Sequence, residues 1–205
     1  MRSRTCVLVA LAVLFISLPA LSKVWLGVEG GASKTVGDDY DQFDWGWAIA
    51  ADAWVENNDY FWLGGRIAYN RWSPDEETFE ELLDTLTAGD VSGVASVFSI
   101  VPMIRLTTAM ENSINIFAQA GPGLYIVNDR IEVDVEDETV GGVVETEIFG
   151  DDQKVRFGLV TGGGLALNLA DFFAIEALPL VNVYFDDDET ITYLTLNVGV
   201  SLGIF

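Results

Sequence analysis

The feature that most constrains this chain is an alternation, with a period of two residues, between apolar side chains and smaller or more polar ones. In segment 172–185 one phase reads Phe173, Ile175, Ala177, Pro179, Val181, Val183, Phe185, and the other reads Ala174, Glu176, Leu178, Leu180, Asn182, Tyr184. Such alternation is typical of a β-strand with one apolar face. In about eight segments, the second phase is mostly Gly, Ala, Ser and Asn with isolated charges. A soluble barrel would place charge outside, so this pattern instead predicts a barrel with lipid outside and a tight polar interior.

The N-terminus predicts a secretory signal peptide. Arg2 and Arg4 precede an apolar run from Cys6 to Leu18, and small residues follow up to Ser22. Because this run is shorter than the roughly 20 residues that span a bilayer, cleavage after Ser22 is favoured over a membrane anchor. We therefore predict a signal peptide at 1–22 and one domain at 23–205. The only cysteine, Cys6, lies within the signal, so the mature chain has no thiol chemistry.

The rest of the chain divides into eight candidate strands joined by alternately short and long connections. The strands are Val24–Ser33, Trp45–Val55, Tyr60–Trp72, Val97–Thr107, Ile114–Val127, Val155–Leu169, Phe172–Phe185 and Ile191–Phe205. Most reach the 9–11 residues of a tilted transmembrane strand. Only a closed barrel satisfies every backbone group of such strands in lipid. The fold prediction is all-β, an eight-stranded antiparallel transmembrane barrel, with a soluble secreted β-protein as the alternative.

Three segments resemble the family of small eight-stranded outer-membrane β-barrels that includes the OmpA transmembrane domain and OmpX. They are the opening 25–31 (WLGVEGG), the motif 157–164 and the ending 199–205 (GVSLGIF). The resemblance implies an outer-membrane location, contact with outer-membrane lipid, and Phe205 as the recognition signal for the barrel-insertion machinery. Phe205 is out of phase with the apolar residues Leu194 to Ile204, so either a bulge re-phases the strand end or the terminal ring hangs free.

Six charged residues fall on the inward phase of the predicted strands. They are Glu29, Asp52, Arg66, Arg105, Arg156 and Glu176. Because an eight-stranded barrel is only wide enough to be filled by side chains, we expect these acids and bases to pair across the lumen. A gated ion path, opened by exchange of pairs, is the alternative. The chain has no histidine. Known outer-membrane barrel enzymes resemble one another in needing a histidine base, so we predict no enzyme, catalytic residue or cofactor.

Two of the long connections carry secondary-structure signals of their own. In the second, Ser73, Pro74 and Glu76 form the start of a helix, with a capping box and proline at the first helical position. Phe79, Leu82, Leu83 and Leu86 make its apolar stripe. This helix is expected to form a lid on the barrel rim, or alternatively a docking site for a partner. In the third, alternation on both sides of Gly141-Gly142 predicts a β-hairpin that extends the strands beyond the membrane.

The acidic charge is concentrated in four connections that all lie at one end of the predicted barrel. Residues 34–44, 73–94, 128–154 and 186–189 contain 25 of the 32 acidic residues of a chain with net charge −22. This excludes nucleic acid as a partner, because phosphates would be repelled. The acidic end is expected to be a solvated surface, or alternatively a site for divalent cations. Two clusters offer hard oxygen ligands, Asp38, Asp39, Asp41 and Asp44 in one and Asp186, Asp187, Asp188 and Glu189 in the other. Neither matches an EF-hand, so no metal site is assigned.

The sequence therefore predicts a non-enzymatic outer-membrane barrel that serves envelope structure or surface interaction. The competing function is a narrow channel that favours cations, with the acidic end concentrating them at the entrance.

Overall fold

Strands make up nearly all of the computed structural model, which describes residues 23–37, 43–73, 88–108, 113–137, 142–149, 153–186 and 189–204. The strands are β1 (Val24–Val36), β2 (Gly46–Asn58), β3 (Phe61–Trp72), β4 (Ala88–Thr107), β5 (Ile114–Asp137), β6 (Gly142–Phe149), β7 (Lys154–Ala170), β8 (Phe173–Phe185) and β9 (Thr190–Ile204). Within the described ranges, no helix is long and apolar enough to cross a bilayer.

Eight of these strands close into an antiparallel barrel. The sheet order is β4-β3-β2-β1-β9-β8-β7-β5-β6, and an additional pairing of β4 with β5 completes the ring. The first and last strands meet along their length, from Val24 opposite Ile204 to Val36 opposite Thr192. The predicted eight-stranded barrel is therefore confirmed. We call the end that holds Val24 and the tight turns the short-turn end, and the opposite end the long-connection end.

The two residue phases lie on the two faces of the wall, as predicted. Along β8, Glu176, Leu178 and Leu180 are buried, whereas Ile175 and Val181 on the alternate phase are exposed. The apolar phase of β9, from Leu194 to Ile204, is also exposed. Because that phase is apolar and points away from the interior, the exposed band is suited to lipid rather than water.

One tight turn shows how local chemistry fixes strand register. Asn58 Oδ1 accepts the backbone N–H groups of Tyr60 (3.0 Å) and Phe61 (2.9 Å). An asparagine side chain that bonds the backbone two residues onward stabilises such turns. A bulge between Glu56 and Asn58 precedes the turn, and the register of the two strands places Asp52 opposite Arg66.

Strands β4 and β5 are longer than the alternation predicts, because they continue past the barrel rim. Ala88 pairs with Val135 in this extension, and β6 pairs with the outer part of β5 up to Asp137 opposite Gly142. The predicted β-hairpin in the third long connection is therefore confirmed, and its turn at 138–141 lies outside the described residues. Residues 88–94 form strand rather than connection. The predicted helix spans 74–87, also outside the described residues.

The β4–β5 ladder is interrupted within the barrel wall. Pairing stops at Ile100 opposite Leu124 and resumes at Ile104 opposite Ala120. This register places Pro102 opposite Pro122, and neither residue has an N–H to donate. We call this gap, residues 101–103 and 121–123, the proline seam.

Candidate functional site in the barrel interior

The interior is filled by two clusters of buried apolar side chains, one near each end. The long-connection cluster contains Phe43, Trp72, Ala95, Val97, Tyr125, Val127, Tyr184, Ile191 and Tyr193. The short-turn cluster contains Trp25, Trp54, Trp62, Val101, Met103, Phe117, Val160, Ala166, Ala174, Leu178 and Leu180. The small and polar residues expected on the inner face are buried there, but large aromatic rings that the prediction did not emphasise share the interior with them.

Some of the small inward residues make room for these rings. Gly64 lies opposite Trp54, and a Cβ on Gly64 would come within 2.5 Å of the Trp54 ring. A Cβ on Gly164 would come within 2.8 Å of the Phe117 ring on the neighbouring strand. Alternating small and large inward side chains fill the interior of small barrels in this way.

Three of the predicted charged residues form one buried cluster on adjacent strands. Arg66 on β3 donates from Nη1 to Glu29 Oε2 on β1 at 2.8 Å and to Asp52 Oδ2 on β2 at 3.1 Å. Arg66, Asp52 and Glu29 are only 4%, 5% and 8% exposed. We call this cluster the Arg66 triad. Along β3 it lies between Trp62 of the short-turn cluster and Trp72 of the long-connection cluster.

A second pair, Arg105 and Glu176, lies among the aromatic rings nearer the short-turn end. Arg105 Nη1 and Nη2 lie 3.2 and 3.1 Å from Glu176 Oε1 and Oε2, and Arg105 Nε donates to Gln119 Oε1 at 2.9 Å. Ser201 Oγ donates to Glu176 Oε1 at 2.8 Å.

The guanidinium of Arg105 lies over two aromatic rings. Its central carbon lies 4.2 Å from the centroid of the Trp54 ring and 4.1 Å from that of the Phe117 ring. Cation–π contacts of this kind strengthen when they are shielded from water, as they are here, because all three side chains are buried.

The sixth predicted residue, Arg156, lies apart from both groups. It forms an ion pair with Asp186 near the long-connection end, where its side chain is 15% exposed. The structure thus brings five of the six predicted lumen residues into two groups and places Arg156 at the rim.

Several interior residues were not singled out by the sequence. Gln119 and Ser201 are on the inward phase, so the alternation could have identified them as partners of the charges. Phe43 precedes β2 and is 5% exposed within the long-connection cluster. Lys34 Nζ donates to the carbonyl oxygen of Phe43 at 2.5 Å. The backbone N–H of the next residue, Asp44, donates to Ser73 O at 3.1 Å. Because Phe43 lies outside the alternating strand segments, the sequence pattern does not predict that it is buried.

Both ends of the interior carry aromatic contacts. At the short-turn end the Trp25 and Trp62 rings stack with centroids 5.9 Å apart and 14° between their planes. At the other end Tyr184 stacks on Tyr125 at 5.7 Å and meets Tyr193 at 6.4 Å.

The acidic connections are described only in part. Asp44 and Glu189 are exposed, and Asp186 is half-buried and pairs with Arg156. Asp38, Asp39, Asp41, Asp187, Asp188 and the terminal Phe205 lie outside the described residues. Among the residues whose placement is described, no group of three His, Cys, Asp or Glu side chains is arranged to hold a metal ion.

Comparison with solved structures finds small barrels of the same fold. A major outer membrane protein from Thermus thermophilus is 13% identical, with a TM-score of 0.56 over 88% of this chain and 99% of that one. The neisserial surface protein A (NspA) is 14% identical, with a TM-score of 0.53 over 87% and 96%. Ail, the attachment invasion locus protein of Yersinia pestis, solved with the heparin analogue sucrose octasulfate, is 14% identical, with a TM-score of 0.52 over 88% and 99%.

Comparison with curated proteins finds no match to the chain. A family model described as outer membrane protein beta-barrel domain matches residues 8–203. That match covers nearly the whole chain and agrees with the closed eight-stranded barrel, its lipid-facing apolar phase and its structural neighbours. The chain therefore belongs to the outer membrane protein beta-barrel domain family and is an outer-membrane protein.

Proposed function

We propose that this protein is a closed, non-enzymatic barrel that serves envelope structure or surface interaction through its acidic connections. In this proposal the short-turn end faces the periplasm and the long-connection end faces outside, which is the usual asymmetry of outer-membrane barrels. The observation that carries the proposal is the filled interior. The Arg66 triad and the Arg105–Glu176 pair lie among two aromatic clusters.

The packing around the charges supports closure over conduction. An open pore would surround charged side chains with water, whereas Arg66, Arg105 and Glu176 are at most 6% exposed. Each contacts a partner of opposite charge. Charges paired in this way are already satisfied by the wall, which leaves them little affinity for a passing ion.

The same pairing argues against catalysis in the interior. A general acid or base must reach a substrate proton. Glu29, Asp52 and Glu176 instead hold arginines, and the two small spaces that they line have room for about one water molecule at most. With no histidine in the chain, the usual base for a hydroxyl or water nucleophile is absent.

The charge of the outer connections favours a cationic partner. Ail was solved with a sulfated sugar analogue, which is a polyanion. The present chain carries 25 acidic residues in connections 34–44, 73–94, 128–154 and 186–189. A polyanion would be repelled by that field, whereas cations or basic protein surfaces would be attracted.

Conductance of the refolded protein in planar bilayers tests the proposal. We expect no steady openings from the wild-type chain. A variant with Trp54→Ala and Tyr193→Ala, which removes one large ring from each cluster, is the matched control and should show small openings. Steady cation-selective openings of the wild-type protein would reject closure and favour the channel. Turnover of lipid or peptide by the refolded protein would reject the non-enzymatic assignment.

A further inference from the structure

A small cavity lies beside the Arg105–Glu176 pair at the short-turn end of the barrel. Its volume is about 10 Å3, and its lining includes Trp62, Arg105, Ala174, Glu176 and Ser201. A space of this size holds one water molecule, provided that polar groups are present to bind it.

Two residues that line this cavity each have a buried donor without a hydrogen-bond acceptor among the described residues. The two donors are Trp62 Nε1 and Arg105 Nη2. Trp62 is 3% exposed and Arg105 is 2% exposed, so bulk water does not reach either group. Arg105 Nη2 lies 3.1 Å from Glu176 Oε2 as an ion pair, but the two atoms are not aligned for a hydrogen bond. A buried N–H that lost water and gained no acceptor is costly.

The cavity also offers an acceptor for the hydrogens of a bound water. Glu176 lines it, and its carboxylate already accepts hydrogen bonds from Ser201 and Arg105. A carboxylate has about four lone-pair sites, so it can accept another bond. We propose that a single water molecule binds here, accepting from Trp62 and Arg105 and donating to Glu176. It supplies the acceptor that the wall does not provide.

The space beside the Arg66 triad differs in this respect. It is bordered by Glu29, Asp52 and Trp54, and it has no room for a water molecule. Trp54 Nε1, like Trp62 Nε1, is buried and has no hydrogen-bond acceptor among the residues whose placement is described. Of the two spaces, only the one lined by Trp62 has room for a water molecule, although Glu176 and Ser201 line both. The proposal therefore places the water in the cavity lined by Trp62 and Arg105, and none in the space lined by Trp54 and the acids of the Arg66 triad.

NMR of protein labelled with 15N-tryptophan and refolded in detergent micelles tests this difference. We expect a cross-relaxation peak between water and the indole N–H of Trp62, and none for Trp54. Trp62→Phe assigns the resonance. Ala174→Val fills the cavity without changing either donor, so the Trp62 resonance should remain while its water peak disappears. Ala166→Val, at another lining residue, makes the same test if Ala174→Val does not refold.

Ala48→Val is the control, because Ala48 is buried on the inner face but does not line the cavity. It should leave the water peak intact. Absence of a water peak at Trp62, or its persistence in a folded cavity-filling variant, would overturn the proposal. Equal water peaks at Trp62 and Trp54 would also overturn it. Equal peaks would also indicate an open lumen and so reject the proposed closure. Absence of a peak at Trp62 would reject only the bound water.

Discussion

Replacing Arg66 with methionine should be among the most destabilising single changes in this barrel. Arg66 is the shared partner of Glu29 at 2.8 Å and Asp52 at 3.1 Å. Methionine retains much of the length of the side chain but leaves two buried carboxylates without a cation. Removing one partner of a buried ion pair typically costs about 3–5 kcal/mol. We expect the free energy of unfolding to fall by about that amount at neutral pH, because two buried carboxylates then repel each other without a cation between them.

The carboxylates themselves provide the internal check. Combining Arg66→Met with Glu29→Gln and Asp52→Asn removes all three charges, because amides are neutral and nearly the same shape. Replacing a whole buried ionic group by neutral residues is often tolerated, so the triple variant should recover much of the lost stability. The double variant Glu29→Gln with Asp52→Asn, which keeps Arg66, should be less stable than the wild-type protein, because Arg66 then remains buried without a counter-ion.

Denaturant unfolding of protein refolded into lipid vesicles, followed by tryptophan fluorescence, measures these differences. Arg156→Met is the matched control. Arg156 pairs with Asp186 at the partly exposed rim, where ion pairs contribute about 0–1 kcal/mol. The reasoning fails if Arg66→Met lies within about 1 kcal/mol of the wild-type protein, or if the triple variant is no more stable than Arg66→Met alone.

Three further outcomes test other parts of the structure. Val198→Arg places a charge on the exposed apolar phase of β9 and should lower the free energy of unfolding in vesicles by about 2–4 kcal/mol. Asp44→Arg, on an exposed connection, should lower it little. Equal effects of the two variants would reject the lipid-facing band. Pro102→Ala with Pro122→Ala restores both missing N–H donors and should slow amide exchange across the proline seam, so unchanged exchange would show that the strands there are held apart for another reason. Calcium should raise the melting temperature in detergent more than sodium at matched ionic strength, by preferential binding to the folded acidic connections; identical midpoints with and without chelator would leave only general screening.

The barrel and its membrane location could be predicted because lipid imposes a simple constraint on each strand. Every second residue faces hydrocarbon, so the apolar phase identifies the outer face without knowledge of any contact. Glu29, Asp52, Arg66, Arg105 and Glu176 were assigned to the inner face by that rule, and all five are buried there. The extension of β5 was predicted with the hairpin, whereas the outer end of β4 was not, because residues 88–94 were assigned to a connection.

Phase gives the direction of a side chain but not its height in the barrel. Arg156 has the inward phase, yet it pairs with Asp186 near the rim rather than with the interior acids. Height follows from the turns and from the stagger between strands. The pairing of Asp52 with Arg66, for example, depends on the turn at Asn58. A single strand read by itself contains none of this information.

The aromatic filling was missed for a related reason. A count of residue types on the inward phase shows its many glycines. It does not show that some of them accommodate aromatic rings on neighbouring strands. Gly64 is needed opposite Trp54 because a Cβ there would meet the ring. Pairs of this kind appear only once strand register is known, and they explain how one inner face contains both the smallest and the largest side chains.

This packing also bears on how the acidic charge of the outer connections is used. To join the two charge groups into one ion path, Arg105 would have to leave Glu176 and the rings of Trp54 and Phe117 that hold its guanidinium. Arg66 would have to leave both of its carboxylates. The two rearrangements involve different partners, so a single exchange of pairs would not open the interior. An acidic entrance is of little use to a barrel closed in this way. The proposed closure therefore fits the proposal that the acidic residues concentrated in connections 34–44, 73–94, 128–154 and 186–189 make contacts at the cell surface.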